Sequence, residues 1–403
     1  MGKNNILGKI CFVLTWLAIF FSAAPYIHLF PESIAKINRA SQWVTIIAGL
    51  MTILHILFTG WLRKYNTAYL LVFVYFAWCI VTLFWSVNTD DTLYYLLLSM
   101  EFLVLMLLVW QHAWSIQRLH ALFFAYVLGT IWVSIDVFRS YLNGDVLKEP
   151  GYERYTSGTI NANDMAVLLV FGVALAIFLL YQSKSRLVII SSIACLAVSL
   201  PALVLTGSRG GFISLMVALF FSLRVNKYGR IAMLVIGLAA IVLVNSPLSP
   251  MKRFTTITEN TRSLDFGDRW IIWESAFRMI SAQPFIGQGA GTFQDAITAY
   301  LGYQKAPHNS FVSIWAGSGL IGLIIFIAML LYSFLQRRQY LSPVNRNLVA
   351  TLLIILIVTS LTLGQDREKI TWLCLAFVSA LAYARSSSAT RPLLNTPSVV
   401  KTP

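Results

Sequence analysis

The sequence predicts an all-α, polytopic membrane helical bundle, and three observations predict it. Of 403 residues, 58% are hydrophobic and 11% are charged, less than half the roughly 25% charge of a soluble domain. Twelve mostly apolar runs recur along the chain, each on the scale of the roughly 20 residues that a spanning helix needs. The alternation of β-barrel strands is absent, which leaves helices as the means of satisfying the backbone in lipid. An aromatic content of 14% also excludes a disordered chain.

The runs lie near 6–24, 42–61, 68–86, 92–110, 119–138, 164–182, 187–205, 211–224, 231–245, 311–335, 347–363 and 370–384. The first follows Lys3 and Lys9 and resembles a signal peptide, but the many later runs favour a retained helix. The short runs 211–224 and 231–245 are expected to tilt, re-enter or extend into their flanks. With a cytoplasmic N-terminus, the inside segments hold basic residues such as Arg63, Arg118, Arg186, Arg230, Arg337 and Arg338, and no acid. That is the positive-inside pattern, and twelve spans return the C-terminus to the cytoplasm. Glu101 lies mid-span in the fourth run and Asp136 near an outer helix end.

The net charge of +14 therefore belongs to loops that set topology and meet anionic membrane lipids, with no nucleic acid implied. Cys11, Cys79, Cys195 and Cys374 each sit within an apolar run and read as small hydrophobes. Without a Cys-x-x-Cys they point to neither a metal nor a redox site.

The expected organisation is 1–245 for helices one to nine, 246–310 for an outer helical cap loop, 311–384 for helices ten to twelve, and 385–403 for a disordered cytoplasmic tail. A second long outer segment covers 139–163. Within the cap loop, Asp268 to Ser281 places Trp270, Trp273, Ala276, Phe277 and Ile280 at helical spacing. A Gly-rich turn, Pro284 to Gly291, and a second possible helix, Thr292 to Leu301, follow it.

The cap loop carries Lys252, Arg253, Arg262, Arg269, Arg278 and Lys305, interspersed with Glu259, Asp265, Asp268 and Glu274. On charge alone, an anionic ligand and a solvated mixed surface are equally supported. Thr206-Gly207-Ser208-Arg209-Gly210-Gly211 is sharper, because it interrupts the apolar pattern between the seventh and eighth runs. An Arg at membrane depth costs roughly 2.5–3.5 kcal/mol unless it faces a polar cavity or partner. Guanidinium grips phosphate bidentately, whereas the bland alternative is a turn whose Arg snorkels to the interface. The segment lacks the Gly-Lys-Ser/Thr of a nucleotide P-loop.

His308, in Lys305-Ala306-Pro307-His308-Asn309-Ser310, suits general-base work, although a lone His is more often structural. His28, His55, His112 and His120 read as interfacial or core residues. Asn161 or Asn163 could cap the sixth helix, and Arg154 could contribute to phosphate or sugar binding. Asp366 and Arg367 read as a local ion pair or part of a cavity rim.

In order along the chain, four segments resemble the O-antigen ligase and polymerase superfamily. They are Gly158 to Ala166; Ser208-Arg209-Gly210-Gly211; Arg269-Trp270 through Ala276, then Pro284 to Gly291 and Phe293; and His308-Asn309 followed by Trp315, Gly317, Gly319, Leu320, Ile321 and Gly322. The resemblance covers about residues 150–330 and implies a C-type glycosyltransferase-like membrane fold. It also implies glycan transfer from undecaprenyl pyrophosphate to an acceptor, without nucleotide sugar, metal or other cofactor. Length and the short tail look most like the ligase that attaches O-antigen to the lipid A–core in the bacterial inner membrane, with its site facing the periplasm.

By the same resemblance, His308 falls on the proposed base, and Arg209 and Arg269 fall on pyrophosphate-stabilising positions. Arg154, Asn161, Asn163, Ser208, Arg262 and Asn309 are implied substrate-binding residues. An O-antigen or exopolysaccharide polymerase and a protein O-oligosaccharyltransferase share these motifs. A membrane transporter is more remote, because it calls for an internal repeat and paired broken helices that the sequence does not display.

Overall fold

The computed structural model describes residues 6–24, 40–145, 147–149, 152–158, 160–223 and 267–384. The predicted run 231–245, the cap-loop residues 246–266 with Arg262, and the tail 385–403 lie outside the described residues. The helices are α1 (Ile6–Ala23), α2 (Ala40–Thr59), α3 (Thr67–Val81), α4 (Thr89–His112), α5 (Ile116–Asn143), α6 (Ala162–Gln182), α7 (Arg186–Leu205) and α8 (Arg209–Leu223). Then come α9 (Gly267–Ala282), two short turns α10 (Phe293–Ala296) and α11 (Thr298–Leu301), α12 (Ser310–Leu335), α13 (Pro343–Thr362) and α14 (Lys369–Tyr383).

Among the described residues, nine helices are long and apolar enough to cross a membrane. Two shorter apolar helices, α8 and α14, coincide with the predicted runs 211–224 and 370–384. The chain is a multi-pass membrane protein. A short antiparallel hairpin, β1 (Leu147–Glu149) with β2 (Tyr152–Arg154), departs from the predicted all-α architecture. It occupies the outer segment between α5 and α6 and carries Arg154 at its end.

Side-chain caps fix several helix starts, as the four orphan N–H groups of each helix require. Asn66, Asn88, Ser115 and Ser342 accept from backbone N–H groups at the starts of α3, α4, α5 and α13. Packing in the bundle uses close approach and hydrogen bonds, since lipid gives no hydrophobic drive between helices. Ser134 Oγ and Ser199 Oγ lie 2.8 Å apart between α5 and α7. Aromatic rings fill the centre, where Trp372 packs against Phe76 at 4.6 Å and Tyr75 at 5.8 Å between ring centroids. The four cysteines are buried and free.

Basic residues gather at one end of the bundle. Arg63 donates to the carbonyl oxygens of Trp110 and Tyr383, at 2.7 and 3.1 Å, and its guanidinium stacks 3.7 Å from the Trp110 ring. Arg337 lies over the Tyr383 ring. Tyr383 ends α14, while Lys369 starts it, so the segment preceding Lys369 lies at the opposite end of that helix.

α12 is broken at Gly319, whose φ of +70° is left-handed. A Cβ there would overlap the carbonyl of Phe285. Neighbouring backbone groups instead bond to the Gly-rich turn: Gln288 N donates to Ala316 O at 2.8 Å, Gly289 N to Gly317 O at 2.9 Å, and Leu320 N to Pro284 O at 2.9 Å. An irregular backbone at this depth is stable only when its polar groups find such partners. The Gly-rich turn therefore clamps the cap onto α12.

Within the cap, α9 confirms the predicted helix but turns a different face inward. Ile272, Ala276, Met279 and Ile280 are buried against Phe293, Ile297 and Val312. Trp270 and Phe277, expected on the apolar stripe, are 66% and 48% exposed. Apolar residues fall on more than one face of this helix, so spacing alone does not choose the face.

Candidate functional site

The site is assembled where the cap meets the ends of α6, α8, α12 and α13. His308 is half-buried and held from both sides. Before it, the Pro307 carbonyl accepts the Trp273 indole N–H at 2.9 Å. After it, Asn309 caps α12, its Oδ1 accepting from Phe311 N at 2.9 Å and Val312 N at 3.1 Å. His308 itself has φ of +49°, a left-handed conformation uncommon for a residue with a side chain. Such strain persists only where the surroundings over-determine it, and the two flanking anchors do so.

Burial holds the His308 imidazole below its usual pKa, and the charges of Arg269 and Lys305 lower it further. Arg269 is lowered too, by burial first and then by the charge of Arg209. The imidazole thus feels Arg269, and Arg269 feels Arg209. Among the described residues no carboxylate pairs with either guanidinium. Two cations in a partly buried setting repel one another, and a bound anion would relieve both.

Arg209 owes its place to its glycine neighbours. A Cβ at Gly211 would overlap that of Ala166, and one at Gly210 would stand 3.2 Å from Thr362 Oγ1. Their absence lets the first turn of α8 press against α6 and the end of α13.

The predicted residues Arg154, Asn163 and Ser208 meet in a hydrogen-bonded knot. Asn163 Oδ1 accepts from Arg154 Nη2 at 2.7 Å and from Ser208 Oγ at 2.9 Å. Arg154 Nε donates to Thr206 O at 2.9 Å, and Gly211 N donates to Ser208 Oγ at 3.1 Å. Arg154 is 2% exposed, so its side chain joins the hairpin to the α7–α8 turn. Asn161 caps α6, accepting from Asn163 N at 2.8 Å.

A cavity of about 190 Å³ lies beside this arrangement, with His308, Asn161, Asn163, Asp164, Ser313 and Asp366 on its wall. Arg209, Arg269, Arg154, Ser208 and Asn309 do not line it. Arg154 and Ser208 connect to it through Asn163, and Arg269 acts on it through His308. Arg262 lies outside the described residues.

Sequence reasoning did not single out Asp164, and it left Asp366 and Arg367 between an ion pair and a rim. All three are on the cavity wall. The segment that carries Asp366 is fastened to α12 and α6: Ser310 Oγ donates to Leu363 O at 3.0 Å, Gln365 N to Ser310 Oγ at 2.7 Å, and Gln365 Nε2 to Asp164 Oδ1 at 3.1 Å. The signal available in sequence was a run of four charges, Asp366-Arg367-Glu368-Lys369, between two apolar runs.

A family model described as O-antigen ligase matches residues 194–327, a segment that contains Arg209, Arg269 and His308. Over this segment the resemblance to the O-antigen ligase family is borne out. A protein named O-antigen ligase from Pseudomonas aeruginosa is 25% identical over 261 residues, which cover 64% of this chain and 61% of that protein. An uncharacterised protein from Haemophilus influenzae is 24% identical over 210 residues, 45% of this chain and 52% of the relative. The match thus spans less than two thirds of either relative's length.

Partners settle the roles of other polar residues in the bundle. Glu101 Oε1 lies 2.5 Å from Lys369 Nζ, so this mid-span carboxylate is ion-paired. Asp136 accepts from Ser157 Oγ. His112 Nε2 is 2.9 Å from Thr52 Oγ1, as suits a core histidine.

Proposed function

We propose that this protein is an O-antigen ligase, transferring O-antigen polysaccharide from undecaprenyl pyrophosphate to a sugar hydroxyl of the lipid A–core. One observation carries the reading: a half-buried imidazole stands on the wall of a polar cavity, it feels the charge of Arg269, and Arg269 in turn feels that of Arg209. This supports anion binding beside base catalysis.

In this mechanism Arg209 and Arg269 grip the pyrophosphate and neutralise the charge that develops on it as it leaves. Guanidinium forks match phosphate oxygens bidentately, and preorganised charge of this kind supplies much of the acceleration in many enzymes. His308, kept neutral by burial and by Arg269, accepts the proton of the acceptor hydroxyl. That oxygen attacks the anomeric carbon as the carbon–oxygen bond to phosphate breaks. Undecaprenyl pyrophosphate departs with the electron pair, and direct attack inverts the anomeric centre. Arg154, Asn161, Asn163, Ser208, Arg262 and Asn309 act as substrate-binding or site-shaping residues, Asn163 holding Arg154 and Ser208 together.

The basic end of the bundle supports a site that faces the periplasm. Arg63 and Arg337 gather around Tyr383, and the positive-inside rule puts that end in the cytoplasm. The segment before Lys369, with Asp366 and Arg367, then faces the periplasm. The polyprenyl chain stays in the bilayer.

Reconstitution tests the reading. Purified protein in liposomes, given lipid-linked O-antigen and rough lipopolysaccharide without ATP, is expected to produce smooth lipopolysaccharide. A loss-of-function strain is expected to accumulate lipid-linked polymer above a bare core. Single capped repeats in that strain would instead indicate a polymerase.

A further inference from the structure

His308 ends a stretch of chain with few anchors. At one end of the stretch Gly302 N donates to Thr298 O at 2.9 Å, and at the other Asn309 caps α12. Between them the chain is held by two hydrogen bonds among the described residues. Trp273 Nε1 donates to Pro307 O at 2.9 Å, next to His308. Gln304 Nε2 donates to Asp295 Oδ1 at 2.5 Å, next to Lys305. Lys305 is exposed and makes no hydrogen bond or ion pair of its own among the described residues. The place of its ammonium therefore depends on the backbone that Gln304 secures.

Asp295 can serve as that anchor because it is itself fixed twice. Its backbone N–H donates to Thr292 O at 3.1 Å, and its Oδ2 accepts from Asn88 Nδ2. The same Asn88 caps α4, its Oδ1 accepting from Asp90 N at 3.1 Å and Asp91 N at 3.2 Å. One residue earlier, Val87 N donates to Gln288 O at 2.9 Å. Both carboxylate oxygens of Asp295 are thus used, one toward a spanning helix and one toward the His308 segment. Hydrogen bonds to a carboxylate are roughly twice as strong as neutral ones, which suits an anchor at the outer end of the bundle.

The imidazole responds to what this anchor holds. Burial, then the charge of Arg269, then that of Lys305 keep His308 below its ordinary pKa. Arg269 comes from α9, and the other charged groups on the cavity wall that His308 shares are Asp164 from α6 and Asp366 and Arg367 from the segment before α14. The influence of an exposed ammonium fades with distance and with salt, so it persists only while the backbone keeps Lys305 close.

We propose that Asp295 is a positioning residue, which through Gln304 sets the distance of the Lys305 ammonium from His308. Asp295 acts only through these neighbours. The inference rests on the ligase reading only where it predicts a change in glycan transfer.

The test reads the His308 titration midpoint directly, by NMR of the full chain in nanodiscs with isotope-labelled histidine, the signal being assigned by its loss in His308→Ala. Low ionic strength keeps the charge effect visible. Lys305→Met removes the charge and should raise the midpoint. Gln304→Leu changes no charge, yet it should raise the midpoint by roughly 0.2–0.5 pH unit, the scale of one screened charge. Asp295→Ala should raise it too, because Lys305 drifts away, whereas the mere loss of a nearby negative charge would lower it. Adding Gln304→Leu to Lys305→Met should give no further rise. In the transfer assay the acidic limb of kcat/KM should follow the same midpoints. A midpoint that falls in Asp295→Ala, stays in place in Gln304→Leu, or rises in the double variant by the full sum of the single effects overturns the inference. Gln304 is exposed, so its arm carries the test even if Asp295→Ala does not fold. Shifted midpoints in a protein without glycan transfer would leave the positioning role standing and remove the ligase reading.

Discussion

The indole N–H of Trp273 donates to the carbonyl oxygen of Pro307 at 2.9 Å, across 34 residues of sequence. This bond ties the cap helix α9 to the residue immediately before His308. A typical hydrogen bond contributes about 0.5–1.5 kcal/mol. Trp273→Phe, which keeps a ring and removes the donor, is therefore expected to slow transfer roughly two- to tenfold. The inflection of the pH profile should stay in place, because the imidazole keeps its neighbouring charges. Reconstituted initial rates across pH check this.

The state of His308 gives a signed pH prediction. Burial and the charges of Arg269 and Lys305 hold it below the ordinary histidine range. The neutral base therefore survives as pH falls past 6.5 and is lost only on passing through the lowered value. In kcat/KM, which reports the free enzyme, the acidic limb should lie below the usual histidine value. Arg269→Gln removes one depressing charge, so that limb should move upward even as the overall rate falls. A limb that stays put or moves down would remove the link between the two residues.

Asn163 supports two donors at once, Arg154 Nη2 and Ser208 Oγ. Asn163→Leu leaves the buried Arg154 guanidinium short of an acceptor, a loss of about 1–3 kcal/mol or more for a charged group. The detergent-solubilised variant is expected to unfold at a lower temperature than wild type. Ser208→Ala, which removes only one neutral donor, should cost less. Thermal melts of the two variants side by side check the order.

Much of this fold was legible in sequence because spanning helices advertise themselves through composition. Eleven of the twelve predicted runs coincide with helices, nine of them long enough to span and two shorter. What stayed hidden depends on contacts between distant residues. Nothing in the local pattern near Glu101 announces Lys369, which lies far along the chain. Gly319 looks like one small residue among several until the Phe285 carbonyl is seen against it. Arg209, Arg269 and His308 stood out because charge in an apolar chain is conspicuous. Asp366 did not, because its place on the cavity wall depends on the contacts that fasten its segment to α12 and α6.

The Glu101–Lys369 pair offers a test of that distant contact. Glu101 is 7% exposed and Lys369 25% exposed at the side chain, and Lys369 Nζ also donates to Ser41 Oγ at 2.9 Å. Removing one partner of a buried pair costs about 3–5 kcal/mol, reduced here by the partial exposure of Lys369. Lys369→Met is expected to destabilise the protein more than the double variant Glu101→Gln/Lys369→Met, which leaves no unpaired charge. A double-mutant cycle in thermal stability measures the difference.

The division of labour between guanidinium groups and imidazole is tested most directly by equilibrium binding of undecaprenyl pyrophosphate to the purified protein. Hydrogen bonds to charged groups contribute about 1.5–3 kcal/mol, so Arg209→Gln and Arg269→Gln should each weaken binding roughly 10- to 100-fold. His308→Ala should bind the lipid as tightly as wild type while losing glycan transfer. Unchanged binding in both arginine variants, or undiminished transfer by His308→Ala, would contradict the account.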